Sequence, residues 1–342
     1  MKVKALLKTG LTSLCIFVTG CNGAPMTKNP TKFDWYATES GPKLYPMEII
    51  QGTFFYQGQN EGLYIPSGGT LSAGWGTKVS HHVVGADEKP LPDRVKIVFF
   101  SYTEKQFYKG EFALPYEKIL AAFREHPIDP VTPYFSSIQI GIAPGGVVAV
   151  WLDGREIKEV FFGQAEKVAI SPSNAFNLPF KSVEQSDAYV QEQLEYILTT
   201  EQLAALKKNG IPFGTWARYR NLYKWAPTYK DGLVPTKAAT TIWFLNGEKV
   251  PNVPTQFSEE MANTPRPLPR GWTFTAPTIS GKKYVFDVKF EEFELMEAFE
   301  KLGAKGERVN IEIEPREPKS ASNVRVYNDK ESVVLKHTTF GK

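Results

Sequence analysis

Residues 137–163 read SIQIGIAPGGVVAVWLDGREIKEVFFG, and this stretch decides the architecture of the first half of the chain. Its apolar runs are separated at Pro144-Gly145-Gly146 and at Asp153-Gly154. Asp-Gly between two apolar runs is a strong signal for a tight hairpin. The pattern therefore predicts an antiparallel meander of three strands: Ser137 to Ala143, Val147 to Leu152 and Glu156 to Gly163.

The sequence before the meander predicts two more strands and a helix. Runs that are rich in β-branched and aromatic residues predict strands over Asp93 to Tyr102 and Phe107 to Leu114. Proline is favoured at the start of a helix, so we expect a short helix from Pro115 to His126.

Helical spacing of apolar residues returns from Glu184 to Lys208. Within this segment Thr199 and Gln202 have the spacing of a capping box, which predicts that a second helix begins there. Gly210 is expected to end it.

The second half of the chain reuses these patterns. The hairpin sequence Trp151 to Ile157 is echoed by Trp243 to Val250, and a strand that leads into an amphipathic helix occurs at Phe112 to Phe123 and again at Phe286 to Phe299. We therefore expect an α+β fold with two lobes of mainly antiparallel sheet, each backed by a helix. A divergent internal repeat stays open, because the order of the shared pieces differs.

The composition excludes some classes of protein. Of 342 residues 42% are hydrophobic and 13% aromatic, which is enough for a large core and excludes disorder for most of the chain. Without the three lysines of the first eight residues, 37 basic residues face 37 acidic ones. A neutral body argues against nucleic acid as a partner and against electrostatic attachment to a membrane.

The N-terminus is typical of a secretory signal. Lys2, Lys4 and Lys8 precede an apolar stretch from Gly10 to Val18, which is too short to span a bilayer. An ordinary cleaved leader is one alternative.

The other alternative is a lipoprotein leader, which we favour. Val18-Thr19-Gly20-Cys21 resembles the bacterial lipobox, in which the cysteine is acylated and becomes the mature N-terminus. The only other cysteine, Cys15, lies inside the leader. Asn22 after the cysteine favours sorting to the periplasmic face of the outer membrane, by resemblance to other lipoproteins.

Together these features predict the domain organisation. The segments are a signal peptide at 1–20, the lipidated cysteine and a tether at 21–32, an N-terminal lobe at 33–183, a helical connector at 184–209 and a C-terminal lobe at 210–342.

The sequence contains no complete catalytic or metal-binding motif. The glycine-rich stretch 67–76, SGGTLSAGWG, lacks the glycines that flank a hydrolase serine and has Trp75 where a P-loop requires lysine. His81 and His82 are adjacent and would point to opposite faces of an extended segment, so they are not expected to bind one metal ion. We predict no enzyme activity, no metal and no cofactor, although a hydrolase site near Ser72 and His82 stays open.

Acidic residues are frequent between Asp287 and Glu300. Aromatic and apolar residues recur there at helical spacing, so Glu291, Glu292, Glu294 and Glu297 are expected on the solvent face of an amphipathic helix. A docking surface for a basic partner is the alternative.

The most unusual segment is 214–230, GTWARYRNLYKWAPTYK, in which aromatic and basic residues alternate. Trp, Tyr and Arg dominate the energetics of protein interfaces. On an extended strand the tyrosines and Trp225 would face one way and the basic residues the other. The segment is a core strand with a basic solvent face, a partner-binding edge or a platform for sugar rings. The candidate partner-binding residues are Trp216, Arg218, Tyr219, Arg220, Tyr223 and Trp225.

Several stretches resemble a family of bacterial lipoproteins, the domain of unknown function 2931. They are Asp34-Trp35-Tyr36, Leu63 to Thr70, Ser72 to Gly76, Pro92-Asp93-Arg94, Phe99 to Tyr102, Phe112 to Phe123, Val150 to Gly154 and Tyr223 to Pro227. The resemblance supplies no catalytic residues. It implies by association a role beside type VI secretion effectors, notably phospholipases, which immunity lipoproteins block in the periplasm.

The sequence therefore supports two hypotheses. The first is a membrane-anchored, non-catalytic periplasmic lipoprotein that binds a protein, such as a type VI lipase effector, and blocks it. The alternative is a lipoprotein that binds a glycan or lipid of the cell envelope.

Overall fold

A computed structural model describes residues 30–126, 133–230, 234–236, 240–278, 280–303, 306–314 and 323–341. The predicted signal peptide, Cys21 and most of the predicted tether lie outside the described residues. From Thr31 to Lys342 the chain forms one compact unit.

The strands of the described residues are short to medium in length. In chain order they are β1 (Lys32–Asp34), β2 (Tyr36–Ser40), β3 (Met47–Tyr56), β4 (Gly62–Tyr64), β5 (Thr70–Leu71), β6 (Glu88–Pro90), β7 (Pro92–Ser101), β8 (Gln106–Ala113), β9 (Phe135–Ala143), β10 (Val147–Gly154), β11 (Ile157–Gln164), β12 (Glu166–Val168), β13 (Trp225–Tyr229), β14 (Thr240–Phe244), β15 (Lys249–Val253), β16 (Pro269–Pro277), β17 (Lys283–Lys289), β18 (Val309–Glu314), β19 (Asn323–Tyr327), β20 (Ser332–Leu335) and β21 (Thr339–Gly341).

Helices connect these strands. They are α1 (Tyr116–Glu125), α2 (Pro172–Phe176), α3 (Val183–Ile197), α4 (Thr200–Asn209), α5 (Thr215–Arg218), α6 (Glu259–Asn263) and α7 (Glu292–Leu302). The predicted capping box at the start of α4 is present. The side chain of Thr199 accepts a hydrogen bond from the N–H of Gln202, and the side chain of Gln202 accepts one from the N–H of Thr199. None of the helices in the described part of the chain is long and apolar enough to cross a membrane.

The strands form a mixed α+β fold with mostly antiparallel sheets, as predicted. The largest sheet has nine strands in the order β2-β9-β10-β11-β15-β14-β16-β17-β21. A six-stranded sheet has the order β12-β8-β7-β3-β4, and its sixth strand, β5, also pairs with β3. Smaller sheets have the orders β13-β18-β19-β20 and β1-β6. The pairs β2·β9 and β13·β18 are parallel.

The predicted meander is β9, β10 and β11, and β10 is buried on both of its faces. Val148, Val150 and Leu152 join a core with the six-stranded sheet and α1, whereas Ala149 and Trp151 join the core of the second half. Because both faces of β10 are covered by core residues, neither face carries a run of polar side chains, and this explains its continuous apolar sequence.

The two hairpins that echo each other in the sequence lie side by side in the large sheet. Strand β11 of the first pairs with β15 of the second through Ile157 and Lys249. The indole N–H of Trp151 donates to the carbonyl of Asn246 at 3.1 Å. The two predicted lobes therefore share one sheet, and an internal repeat is not shown.

The predicted helical connector packs on the first half of the chain. Val190 and Leu194 of α3 and Leu198 after it are buried against Phe100 and Phe107 of the six-stranded sheet. The connector therefore covers one face of that sheet.

Candidate functional site

A cleft of about 940 Å³ opens where two loops of the first half meet the large sheet. Its walls include the loops 42–45 and 73–77, together with residues of β14, β16, β17 and the start of α7. Trp243, Gly271 and Lys289 are direct partners across three neighbouring strands, so they share one face of the sheet at the cleft.

Hydrogen bonds hold the second loop in place. The Nη1 of Arg270 on β16 donates to the carbonyl of Trp75 at 2.7 Å. The hydroxyl of Ser40 donates to the carbonyl of Gly74, and the N–H of Gly74 donates to the carbonyl of Gly41. The loop is thus tied both to its own half and to β16.

Three polar residues from distant parts of the sequence meet in the wall of the cleft. They are Tyr219, Arg270 and Glu292. Burial raises the pKa of the Tyr219 hydroxyl, and the charge of Glu292 and a hydrogen bond to it raise that pKa further. Burial also raises the pKa of Glu292, against the opposing effects of Tyr219 and Arg270. The pKa of Arg270 is lowered by burial, and Glu292 opposes this shift.

Two further carboxylates of the cleft, Asp287 and Glu291, have local partners. Lys289 and Asp287 form an ion pair at 3.2 Å. Glu291 caps α7, because its Oε2 accepts a hydrogen bond from the N–H of Glu294 at 2.7 Å. With Lys43, Arg270 and Glu292, the lining carries three basic and three acidic side chains.

The aromatic lining combines buried and accessible rings. Trp75 and Trp216 are only 6% and 2% exposed, and Trp216 packs edge to face with Tyr45 at 5.8 Å. Tyr45, Trp243 and Phe293 are partly exposed. The buried rings shape the cleft, and the partly exposed rings can contact a ligand.

A model of one protein family, described as "Protein of unknown function (DUF2931)", matches residues 22–214. The chain belongs to the DUF2931 family. The matched range contains both loops of the cleft and ends before Arg270 and Glu292. The resemblance at Tyr223 to Pro227 lies outside it. A search of curated proteins and a search of solved structures found no match to this DUF2931 protein.

The segment 214–230 of the DUF2931 protein is not one extended strand, which corrects that expectation. Residues 215–218 form the short helix α5, and the strand begins only at Trp225. Side chains in a helical turn point in successive directions around the helix axis, whereas those of a strand alternate between two faces. The aromatic residues of this segment therefore do not share one face.

The six candidate residues therefore lie in different environments. Trp216 and Tyr219 line the cleft. Trp225 is fully buried and donates to the carbonyl of Pro267 at 3.0 Å, so in this conformation it belongs to the core and not to a partner surface. Tyr223 packs on Phe299 of α7 at 5.5 Å.

The two candidate arginines form ion pairs on different elements. Arg218 pairs with Glu300 of α7 at 2.7 Å. Arg220 pairs with Glu159 of β11 at 2.7 Å, and its guanidinium lies 4.4 Å from the ring centre of Phe162. The structure thus separates these two side chains.

Arg270 and Glu292 were missed by sequence reasoning. Glu292 was assigned to the solvent face of α7, but it is the first residue of the helix and lies in the wall of the cleft. Arg270 lies at an irregularity in the pairing of β14 with β16, between the paired residues Pro269 and Gly271. Its position as a charged residue within an apolar strand is the one signal that the sequence offered.

The histidines form no metal site in the described part of the chain. No group of three or more His, Cys, Asp or Glu residues there is arranged to hold a metal ion. His81 packs on the ring of Tyr36 at 4.2 Å.

Proposed function

We propose that this DUF2931 protein is a membrane-anchored, non-catalytic lipoprotein on the periplasmic face of the outer membrane. It binds another protein through the cleft, and the partner is a type VI secretion lipase effector that it blocks. The observation that carries the binding role is the cleft itself, which partly exposed aromatic rings line together with the Arg270 and Glu292 side chains.

The rim of the cleft supports a protein partner. Leu44 is 36% exposed on one loop, and Phe213, next to the cleft residue Pro212, is 61% exposed. Aromatic anchors with apolar surroundings and a few polar groups are typical of the energetic centres of interfaces. An inserted loop of a partner would bury this surface.

The sequence supports the anchor and the identity of the partner. Cys21 in its lipobox supplies the lipid attachment, and the body has no net charge with which to hold a membrane electrostatically. The association with type VI phospholipase effectors that the resemblance implies favours a secreted lipase as the blocked partner.

Affinity capture from crosslinked cell envelopes tests the proposal. The full-length protein is compared with Trp243→Ala and Phe293→Ala, and Tyr64→Ala serves as a control on an exposed aromatic outside the cleft. We expect one secreted lipase in stoichiometric amount, lost in the cleft variants and kept in the control, and inhibition of that lipase by the wild type. Capture of no dominant protein would refute the proposal.

A cell-envelope lipid or glycan is the second candidate. The volume of about 940 Å³ lies within the range of roughly 300–1,000 Å³ that is common for small-ligand clefts. Trp75 and Trp216 expose almost no ring surface, so a sugar would stack on the partly exposed Tyr45, Trp243 or Phe293. Binding to vesicles of envelope lipids, with no captured protein, would favour this candidate.

A further inference from the structure

We infer that the cleft holds an uncharged main-chain segment of the partner, with Arg270 donating to a peptide carbonyl and Glu292 accepting from a peptide N–H. This inference rests on the proposed function, and it names the chemistry that the same site recognises.

The charges of the cleft argue for an uncharged occupant. Asp287 is paired with Lys289, Glu291 caps a helix, and Glu292 faces both Tyr219 and Arg270. A charged side chain that enters the cleft loses its hydration and meets a lining of zero net formal charge, in which the charge of Glu292 offsets that of Arg270 and the exposed Lys43 stays hydrated. Desolvation of an ion without a matched counter-ion is costly.

Arg270 and Glu292 complement the hydrogen-bonding groups of a main chain, because one is a donor and the other an acceptor. A guanidinium carries five N–H donors and no acceptor, and a carboxylate is an acceptor. One donor of Arg270 is used by the carbonyl of Trp75, which also fixes the position of the side chain. In an extended segment the N–H and the carbonyl of one residue point to the same side, so the main chain can offer an acceptor to Arg270 and a donor to Glu292.

The apolar part of the cleft can contact a side chain of the bound segment. Tyr45, Trp243 and Phe293 are the partly exposed rings there. Rigid aromatic rings contribute large contact area at a low cost in conformational entropy. We therefore expect an aromatic or aliphatic residue beside the clamped peptide group.

Blocked tripeptides test this inference on the full-length protein. The probes are acetyl-Gly-Trp-Gly-amide, the same peptide with Lys or Glu in place of Trp, and the ester analogue of the Trp peptide, in which an oxygen replaces one peptide N–H. Chitotriose and vesicles of envelope lipid are the glycan and lipid arms. Binding is measured by NMR titration.

We expect the Trp peptide to bind at least about tenfold more tightly than the Lys and Glu peptides and than its ester analogue. Arg270→Lys keeps the charge but loses the planar set of donors, and it should weaken the Trp peptide to a similar extent. Arg325→Lys, in an ion pair with Glu312 away from the cleft, is the matched control and should leave binding unchanged. The ester comparison uses wild-type protein, so it holds even if Arg270→Lys does not fold.

Equal binding of the three peptides, equal binding of the ester, or binding of chitotriose or vesicles alone would overturn the inference. Its failure is separable from failure of the proposed function. Capture of a lipase that depends on Trp243, without discrimination among the peptides, overturns the peptide clamp and leaves the proposed function. Discrimination among the peptides without any captured protein supports the clamp and overturns the proposed function.

Discussion

The backbone of Gly76 lies directly against that of Gly247, so that a β-carbon on Gly76 would stand 2.6 Å from the Cα of Gly247. Both glycines have positive φ angles, +73° and +91°. Gly76 belongs to a loop of the cleft, and Gly247 lies in the turn between β14 and β15. The cleft loop that contains Gly76, which lies within the family-matched range, therefore contacts the β14–β15 hairpin of the second half of the chain.

Gly76→Ala should therefore destabilise the protein by about 3 kcal/mol, because a strained φ angle and a backbone clash add together. Gly68→Ala is the matched control: its φ is +79°, but no atom lies within 4 Å of its β-carbon position. It should cost about 1 kcal/mol from strain alone. Urea unfolding measures both, and equal losses would show that the Gly76 contact is not tight in solution.

Local features of this fold could be predicted from the sequence because neighbouring residues determine them. Thr199 and Gln202 specify a helix start by their own hydrogen bonds. The turn predicted at Asp153-Gly154 falls two residues later, at Arg155 and Glu156, because Asp153 and Gly154 still belong to β10. The helix expected from Pro115 is α1, which begins at Tyr116.

The cleft could not be predicted because it depends on contacts between distant residues. Tyr219 and Glu292 are 73 positions apart, and Arg270 reaches Trp75 across 195 positions. The amphipathic pattern of α7 correctly places Phe299 in the core, but it says nothing about the first turn of the helix, where Glu292 lies in the wall of the cleft. Tertiary packing alone decides that position.

Trp225→Ala should destabilise the protein by about 3–5 kcal/mol, because the indole is fully buried and packs parallel to Trp272 at 6.1 Å. Arg218→Ala removes an ion pair between two side chains that are each about 40% exposed, and should cost less than about 1 kcal/mol. Thermal unfolding compares the two. A small loss for Trp225→Ala would return this residue to the list of partner contacts.

Because of Glu159, the free energy of unfolding should fall as the pH rises from about 4.5 to about 7. Burial raises its pKa to about 7, the charges of Arg220 and Lys118 oppose this shift, and Glu248 adds to it. Within that window the folded state keeps a proton that the unfolded chain has released, so unfolding becomes easier as pH increases. The full effect is about 3 kcal/mol.

Glu159→Gln cannot ionise and should remove this slope. Free energies of unfolding in urea at about pH 5 and about pH 8 should differ less in the variant than in the wild type. Glu297→Gln, on the exposed side of α7, is the control and should keep the slope of the wild type. If the variant and the wild type respond alike to pH, Glu159 is not the residue responsible.

Cys21→Ser should abolish acylation and release the protein from membranes, because stable anchoring requires the attached acyl chains. Cys15→Ser, inside the predicted leader, is the matched control and should leave both unchanged. Labelling with radioactive palmitate and fractionation of membranes measure the outcome, and Cys21→Ser protein that stays in the lipid fraction would contradict the lipobox assignment. Under the proposed function, the released variant should bind the lipase in solution as tightly as the wild type, since Pro42, the first of the described residues that line the cleft, follows Cys21 by 21 positions. Protection of cells should nevertheless decrease, because an anchored protein is concentrated at the membrane where a lipase acts.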